Sequence, residues 1–160
     1  MEAEGEWVLL AYRMPREPST PRISVWRKLR RLGAVQILDG LVGLPLDART
    51  KERLEWIADE VIEAGGEASI WLAQTATKAH ERQLRAQVVE DVDAAYDKII
   101  DEAKAALADP VGRRRTLTRV RRELQLVRQR DHFPKRGFER AAAAVNRLAA
   151  LVDDDKKVSR

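Results

Sequence analysis

Apolar positions in the first half of the chain form short runs separated by stretches with helical spacing. The run from Glu6 to Met14 (EWVLLAYRM) ends at Pro15 and predicts a short, largely buried strand. Beyond it, the pattern predicts a helix over 22–32, strands over 34–38 and 41–44, a helix over 48–64 and a strand over 67–73. The order of elements in this half is therefore β-α-β-β-α-β.

Local residues predict how the first helix begins and how the second and third strands connect. Ser19 or Thr20 is expected to cap the helix, and Pro21 at its first position costs no hydrogen bond. Asp39-Gly40 is a strong hairpin dipeptide, because both positions of the favoured turn need positive φ. A tight turn is therefore expected between the strands over 34–38 and 41–44.

Tryptophan is confined to the first half of the chain. In the first helix, Ile23, Trp26 and Leu29 recur at helical spacing and are expected to form the packed face. Large aromatic side chains usually contribute to cores. Core packing is therefore predicted for most of the four tryptophans, which are Trp7, Trp26, Trp56 and Trp71.

The second half shows only helical periodicity. Three helices are predicted, over 78–108, 112–131 and 138–152, and the tail from Asp153 to Arg160 is expected to fray. The predicted apolar stripes are Leu84, Val88, Val92, Tyr96, Ile99 and Ala103 in the first of these helices, and Leu117, Val120, Leu124 and Val127 in the second.

Four strands and two helices in the order β-α-β-β-α-β are typical of the ferredoxin-like arrangement, an antiparallel sheet with both helices on one face. The predicted fold class is therefore α+β, a ferredoxin-like domain followed by a three-helix C-terminal appendage. The expected domains are 1–76 and a helical region over 77–160 that packs on it, with one single domain as the alternative.

Charge is sorted along the chain, although the net charge of its 160 residues is only +4. Residues 13–31 hold seven basic groups against one acidic group, and residues 111–140 hold eleven against three. Between them, residues 47–110 hold fifteen acidic groups against eight basic ones. Such sorting is the usual electrostatic footprint of a polyanionic partner.

Ten of the eleven basic groups in residues 111–140 are arginines, whose guanidinium forks suit phosphate. The run Arg113–Arg115 lies at a predicted helix N-terminus, where cations oppose the helix dipole unless an anion is close. This placement indicates a bound phosphate or small oxyanion. The alternative is a solvated arginine face, or pairing between the acidic third helix and the basic fourth.

Candidate catalytic chemistry is sparse. The chain has no cysteine, which removes thiol catalysis and cysteine-based metal sites, and His80 and His132 stand alone without metal-ligand spacing. Ser-based elbows and glycine-rich phosphate loops are absent from the sequence. We therefore expect neither an enzyme nor a bound cofactor. The acidic start, Met1 to Glu6, and the lack of a long apolar run predict a cytoplasmic protein.

The segment Trp7–Pro45 resembles the N-terminal domain of chromate-resistance proteins of the ChrB type. The resemblance rests on the pattern Arg-x-x-x-Trp-Arg-x-Leu-Arg-x-x-Gly-Ala followed by Leu-Asp-Gly-x-x-x-Leu-Pro. Its residues here are Arg22, Trp26, Arg27, Leu29, Arg30, Gly33, Ala34, Leu38, Asp39, Gly40, Leu44 and Pro45. The resemblance implies a cytoplasmic, chromate-responsive transcription regulator that binds DNA.

Members of that family commonly carry a second, C-terminal domain, for which a chain of 160 residues has no room. The chain is therefore expected to supply the DNA-binding half, or to work with a separate partner of the C-terminal ChrB type. Chromate is a possible effector ligand.

The outline also resembles the middle domain of phenylacetate-degradation repressors and the small CRISPR adaptation nucleases, which raises the expectation of a homodimer by analogy. Those nucleases end their first strand with a metal-binding aspartate, where this chain has Tyr12-Arg13. A metal nuclease is therefore not expected.

The function predicted from these observations is a DNA-binding transcription regulator in chromate resistance. Its arginines are expected to contact DNA phosphates, which supply affinity and salt dependence. The alternatives are a chromate-sensing or protein-interaction module without DNA binding, and an enzyme acting on a small anion. The predicted nucleic-acid-binding residues are Arg22, Arg27, Lys28, Arg30, Arg31, Arg113, Arg114, Arg115, Arg119, Arg121 and Arg122.

Overall fold

A computed structural model describes residues 5–160 of the chain, so most of the acidic start lies outside the described residues. The chain divides into two compact units, one that ends at Val88 and one over Val89–Arg160, and the division falls inside a long helix. The predicted domain division at residue 76 stays a prediction. The elements are β1 (Glu6–Arg13), α1 (Ser19–Leu32), β2 (Val35–Leu38), β3 (Leu41–Pro45), α2 (Ala48–Glu63), β4 (Glu67–Gln74), α3 (Lys78–Ala106), α4 (Arg113–Gln129) and α5 (Gly137–Val158).

The first unit is built on a four-stranded antiparallel sheet with the strand order β2-β3-β1-β4. The central strand β1 places Leu10 opposite Val42 of β3 and opposite Ile70 of β4. The sheet order and the element order β-α-β-β-α-β confirm the predicted ferredoxin-like α+β fold.

One face of this sheet carries α1 and α2. Side chains alternate along a strand, so Val8 and Leu10 of β1 point to the same face. They lie in one buried cluster with residues from both helices, including Val25 of α1 and Leu54 and Val61 of α2. Both helices therefore bury their apolar faces against the same side of the sheet.

The opposite face of β1 holds Trp7, which is 2% exposed. Its indole Nε1 donates to Oε2 of Glu81, in the first turn of α3, at 2.6 Å. The same carboxylate group accepts from Arg85 at 2.9 Å through Oε1. A buried indole N–H normally needs a partner, and here α3 supplies it within the first unit. Core packing is thus confirmed for Trp7.

The start of α1 differs from the prediction. The helix begins at Ser19 after Pro18, and no side chain caps it by a hydrogen bond, so Ser19 and Thr20 are helical residues rather than caps. Pro21 is the third helical residue instead of the first. It is tolerated there because the first N–H groups of a helix have no partner within the helix.

The hairpin at Asp39-Gly40 forms, but its turn geometry differs from the expectation. Only Gly40 has a positive φ, of 74°, whereas Asp39 does not. The strand register shifts between Gln36 and Leu38, which places an irregularity next to the turn. A side chain at position 40 would also collide with the backbone carbonyl of Tyr12. Glycine is therefore required at this position for two reasons.

In the second unit, the C-terminal part of α3 packs with α4 and α5 around one apolar core. The predicted stripes of α3 and α4 are buried throughout, which confirms the helical periodicity. Tyr96 is central to this core; its hydroxyl donates to Asp131 Oδ2 at 3.0 Å and its ring meets Phe138 edge-on. The expectation that residues 153–160 fray is wrong, because α5 continues to Val158.

Candidate nucleic-acid interface

Six of the seven arginines of α4 project away from the core of the second unit. This helix buries its apolar stripe at Leu117, Val120, Leu124 and Val127, so residues on its other sides face solvent. Seven arginines and one glutamate occupy the helix, and six of these arginines are exposed. The result is an amphipathic helix whose polar surface is almost purely cationic.

Arg113 differs from the other predicted binding residues of α4. It is buried, with 9% exposure, and its Nε lies 3.4 Å from Oδ2 of Asp155 on α5. This Nε has no hydrogen-bond partner of good geometry in the described chain. Arg113 therefore faces the interior of the unit, and the structure sets it apart from the exposed arginines.

The N-terminus of α4 already has an anion, and it comes from the chain itself. Asp109 accepts a hydrogen bond from the backbone N–H of Gly112 at 3.0 Å, and its backbone carbonyl accepts from the N–H of Arg113. A carboxylate at this place is favourable because a helix N-terminus is partially positive. Asp109 and Asp155 thus supply the negative charge that the sequence pattern attributed to an external anion.

The exposed arginines of α4 form two rows with seven-residue spacing. Arg115 and Arg122 lie on the side opposite the apolar stripe, and Arg114 and Arg121 lie on one flank. None of these four forms an ion pair within residues 5–160. Arg119, on the other flank, pairs with Glu102 of α3 at 3.1 Å. Four of the six predicted arginines of α4 are therefore unpaired cations at the surface.

The predicted residues of α1 are also exposed, in the first unit. Lys28 is the one with an ion pair in the described chain; its Nζ lies 2.7 Å from Oε2 of Glu60 on α2. The guanidinium of Arg30 stacks over the ring of Trp26 at 5.1 Å. The other three predicted residues of α1 are also exposed: Arg22, Arg27 and Arg31.

The predicted packed face of α1 is confirmed at Leu29 and wrong at Ile23 and Trp26. The helix buries Val25 and Leu29, whereas Ile23 and Trp26 are exposed, Trp26 by 51%. This helix carries two apolar rows, and the row that contains Val25 packs against the sheet. The basic face of α1 therefore carries an aromatic ring among its arginines.

Core packing is wrong for Trp56 and Trp71 as well, which are 63% and 59% exposed. Trp56 lies on the flank of α2 that faces α1, one turn after Arg53. Arg53 and Trp56 are not among the predicted sites. They are three residues apart and lie beside the buried residues Leu54 and Ile57, a spacing that marks the flank of a helix rather than its core face.

The model for the family described as "Protein ChrB, N-terminal" matches residues 22–109, which is more than half of the chain. The chain belongs to the ChrB family. The match includes all five predicted residues of α1 and ends before Arg113. The arginines of α4 thus lie outside the segment that the family model matches.

A curated relative extends the likeness beyond that segment. Protein ChrB of Cupriavidus metallidurans is 26% identical over 153 residues, which cover 94% of this chain and 47% of that protein. This ChrB-family chain spans about half the length of the relative. No solved structure matches the chain.

The described part of the ChrB-family chain contains neither a metal-binding cluster nor a membrane-spanning helix. Residues 5–160 contain no group of three His, Asp or Glu side chains placed to hold a metal ion. None of the helices in this described part is both long and apolar enough to cross a bilayer.

Proposed function

We propose that this chain is a DNA-binding transcription regulator in chromate resistance, and that the exposed arginines of α4 contact DNA phosphates. The observation that carries the proposal is the unpaired state of Arg114, Arg115, Arg121 and Arg122 in the described structure. Membership of the ChrB family supports the chromate-resistance setting.

The spacing of these arginines suits a phosphate backbone. Residues seven apart on a helix are separated by about 10.5 Å along its axis, because each residue rises about 1.5 Å. Double-stranded DNA carries one phosphate charge per about 1.7 Å of its axis when both strands are counted. Arg115 and Arg122 are therefore far enough apart to contact separate phosphates.

The exposed set of α1, from Arg22 to Arg31, is proposed as a second source of phosphate contacts in the first unit. It lies inside the segment that the family model matches. Arg27 and Arg31 form no ion pair in the described chain, and Lys28 is partly neutralised by Glu60. We expect this set to contribute less than α4.

A chromate-sensing or protein-interaction module without DNA binding is the competing function. It has weaker support, because Asp109 lies at the N-terminus of α4, the place that the sequence pattern offered to a small oxyanion. The homodimer, the cytoplasmic location and a separate partner of the C-terminal ChrB type stay predictions.

The test is the affinity of the whole chain for duplex DNA from the region upstream of its own gene, measured by fluorescence anisotropy between 50 and 200 mM salt. One phosphate contact for each of the five exposed arginines predicted on α4 gives a slope of about −4.5 in log K against log[salt]. This slope corresponds to a loss of affinity of roughly 500-fold over this range. An unrelated duplex of equal length measures the non-specific part. Absence of binding at 50 mM salt would overturn the proposal, and calorimetric heat from chromate alone would then favour the sensing module.

A further inference from the structure

A cleft opens between α1 and α2 in the first unit. Its volume is about 270 Å³, and Leu32 and Ile57 form its apolar floor. Arg31 of α1 and Arg53 of α2 line its walls, together with the ring of Trp56. Apolar, aromatic and cationic groups therefore meet in one concave site, which is the usual composition of a small-ligand pocket.

Trp56 stands out among the four tryptophans because its ring and indole N–H are unused. Trp7 donates to Glu81, Trp71 donates to Ser69 at 2.8 Å, and Trp26 lies under Arg30. Within the described chain, Trp56 makes no hydrogen bond and no ring contact. An aromatic face of this size is thus available to a ligand in the cleft.

The cations of the cleft outnumber its anions. Glu60 is the carboxylate of the lining, and it already accepts from Lys28 Nζ at 2.7 Å and from Ser24 Oγ at 3.2 Å. Arg31 and Arg53 form no ion pair with any described residue. Two guanidinium groups therefore remain for an anionic ligand, and guanidinium binds phosphate through two parallel hydrogen bonds.

We propose that this cleft binds a nucleoside phosphate, with the base stacked on Trp56 and the phosphate held by Arg31 and Arg53. A simple oxyanion would leave the aromatic face unused, and an apolar peptide would leave the two arginines unpaired. The volume lies just below the range of about 300–1,000 Å³ for pockets of drug-sized ligands. The cleft therefore suits one small ligand rather than several units of a polymer.

Two sources supply this chemistry, a free nucleotide and an unstacked nucleotide of a single strand. Single-stranded nucleic acids are held by the same combination of aromatic stacking and cationic contact. The inference goes beyond the proposed contacts of α4 with duplex DNA. It shares Arg31 with the α1 set, but Arg53 and Trp56 belong to neither set, and they are the residues to change.

The experiment titrates the full chain with adenosine monophosphate at low salt, by calorimetry and by the indole N–H signals in ¹H–¹⁵N spectra. Trp56→Phe identifies the Trp56 signal, which is expected to shift as the nucleotide binds. Trp56→Leu removes the stacking face and is expected to weaken binding about tenfold or more. Arg53→Gln is expected to weaken it to a similar extent, because a charge-assisted hydrogen bond is lost.

Trp71→Leu is the matched control, because Trp71 is as exposed as Trp56 but lies on β4, outside the cleft lining. Unchanged affinity in this variant supports the assignment, and equal weakening in both tryptophan variants would overturn it. Circular dichroism confirms that each variant is folded. Adenosine and inorganic phosphate are each expected to bind more weakly than the monophosphate; phosphate binding as tight as that of the nucleotide would also overturn the proposal.

A single strand of four nucleotides distinguishes the two sources. Tighter binding of the strand than of the monophosphate, lost in Trp56→Leu, supports a nucleic-acid ligand in the cleft, and the reverse order supports a free nucleotide. Duplex DNA binding separates this inference from the proposed function. Its salt dependence is expected to be the same in Trp56→Leu as in the unaltered chain, so either proposal can fail while the other stands.

Discussion

The double variant Arg115→Gln/Arg122→Gln tests the outer face of α4 as the phosphate-binding surface. Both arginines are exposed, neither has an ion-pair partner in residues 5–160, and both lie opposite the apolar stripe. Glutamine keeps most of the side-chain length and the helix propensity while it removes the charge. The variant is therefore expected to fold normally and to lose only electrostatic contacts.

The magnitude follows from counterion release. Each phosphate contact adds about 0.9 to the slope of log K against log[salt], so two lost contacts reduce a slope of about −4.5 to about −2.7. Between 50 and 200 mM salt, the unaltered chain then loses affinity roughly 500-fold and the variant roughly 40-fold. The two affinities therefore converge as the salt concentration rises.

The assay is anisotropy of a labelled duplex at four or more salt concentrations, with Arg147→Gln as the control. Arg147 is exposed on α5, has no ion pair in the described structure, and lies outside both predicted basic sets. Its replacement removes one positive charge from the same unit without altering α4. An unchanged slope in the double variant, or an equal drop per charge in the control, would refute the assignment of phosphate contacts to α4.

Three further variants test the units and the described contacts. Gly137→Ala is expected to lower the free energy of unfolding by about 1–3 kcal/mol in urea denaturation followed at 222 nm, because the new Cβ would lie 2.6 Å from the buried ring of Tyr96. Alanine's better helix propensity alone would raise the midpoint, and that result would contradict the prediction. Burial raises the pKa of Glu81, but hydrogen bonds from Trp7 and other donors outweigh this effect and hold the pKa below its ordinary value of 4.5. This carboxylate therefore stabilises the fold above about pH 4.5 and loses its contribution as the pH falls through the lowered pKa. Glu81→Gln is therefore expected to reduce the fall in unfolding free energy between pH 6 and 3; an unaltered pH profile would show that the carboxylate's charge is not involved. Arg113→Gln is expected to lower stability by about 1 kcal/mol, mainly through lost packing, with no change in the salt slope of DNA binding, and a reduced slope would restore Arg113 to the binding set.

The fold follows from the sequence because its patterns are regular and long. The stripe of α4 repeats with three- and four-residue steps from Leu117 to Val127, and a single helical face accounts for all of it. Glycine and proline residues separate the successive elements from β1 to β4. These breaks leave few alternatives to the observed order of helices and strands. Hydrophobic periodicity therefore fixed both the element order and the core of the second unit.

The packed face of α1 followed only in part from the sequence. On α1, Leu29 is at helical spacing from Trp26 and also from Val25, and periodicity alone does not show which of the two is buried beside it. Packing against the sheet determines which row is buried, because the row that contains Val25 lies with Leu10 and its neighbours in one buried cluster. Helical spacing from Leu29 favours Trp26 as strongly as Val25, and only the contact with the sheet separates the two.

The basic character of α4 was predictable, but the division of its arginines was not. Exposure of Arg115 and Arg122 follows from their position opposite the apolar stripe. The burial of Arg113 depends on Asp155, which a different helix supplies. The contact between Arg113 and Asp155 leaves no local pattern in the sequence, because the two residues are far apart in the chain. The sequence alone therefore does not distinguish Arg113 from the arginines that follow it.

This division changes what the charge on α4 means. Cations at a helix N-terminus need a nearby anion, and Asp109 and Asp155 satisfy that need within the chain. The N-terminus of α4 thus gives no reason to expect an external ligand. The arginines further along the helix are different, because the folded chain holds them close together without compensating carboxylates, at a cost in mutual repulsion. A polyanion that neutralises several of them at once relieves that repulsion along the length of the helix, whereas a single small dianion relieves it at one point. The charge that remains unpaired after folding therefore favours an extended ligand such as DNA over isolated chromate.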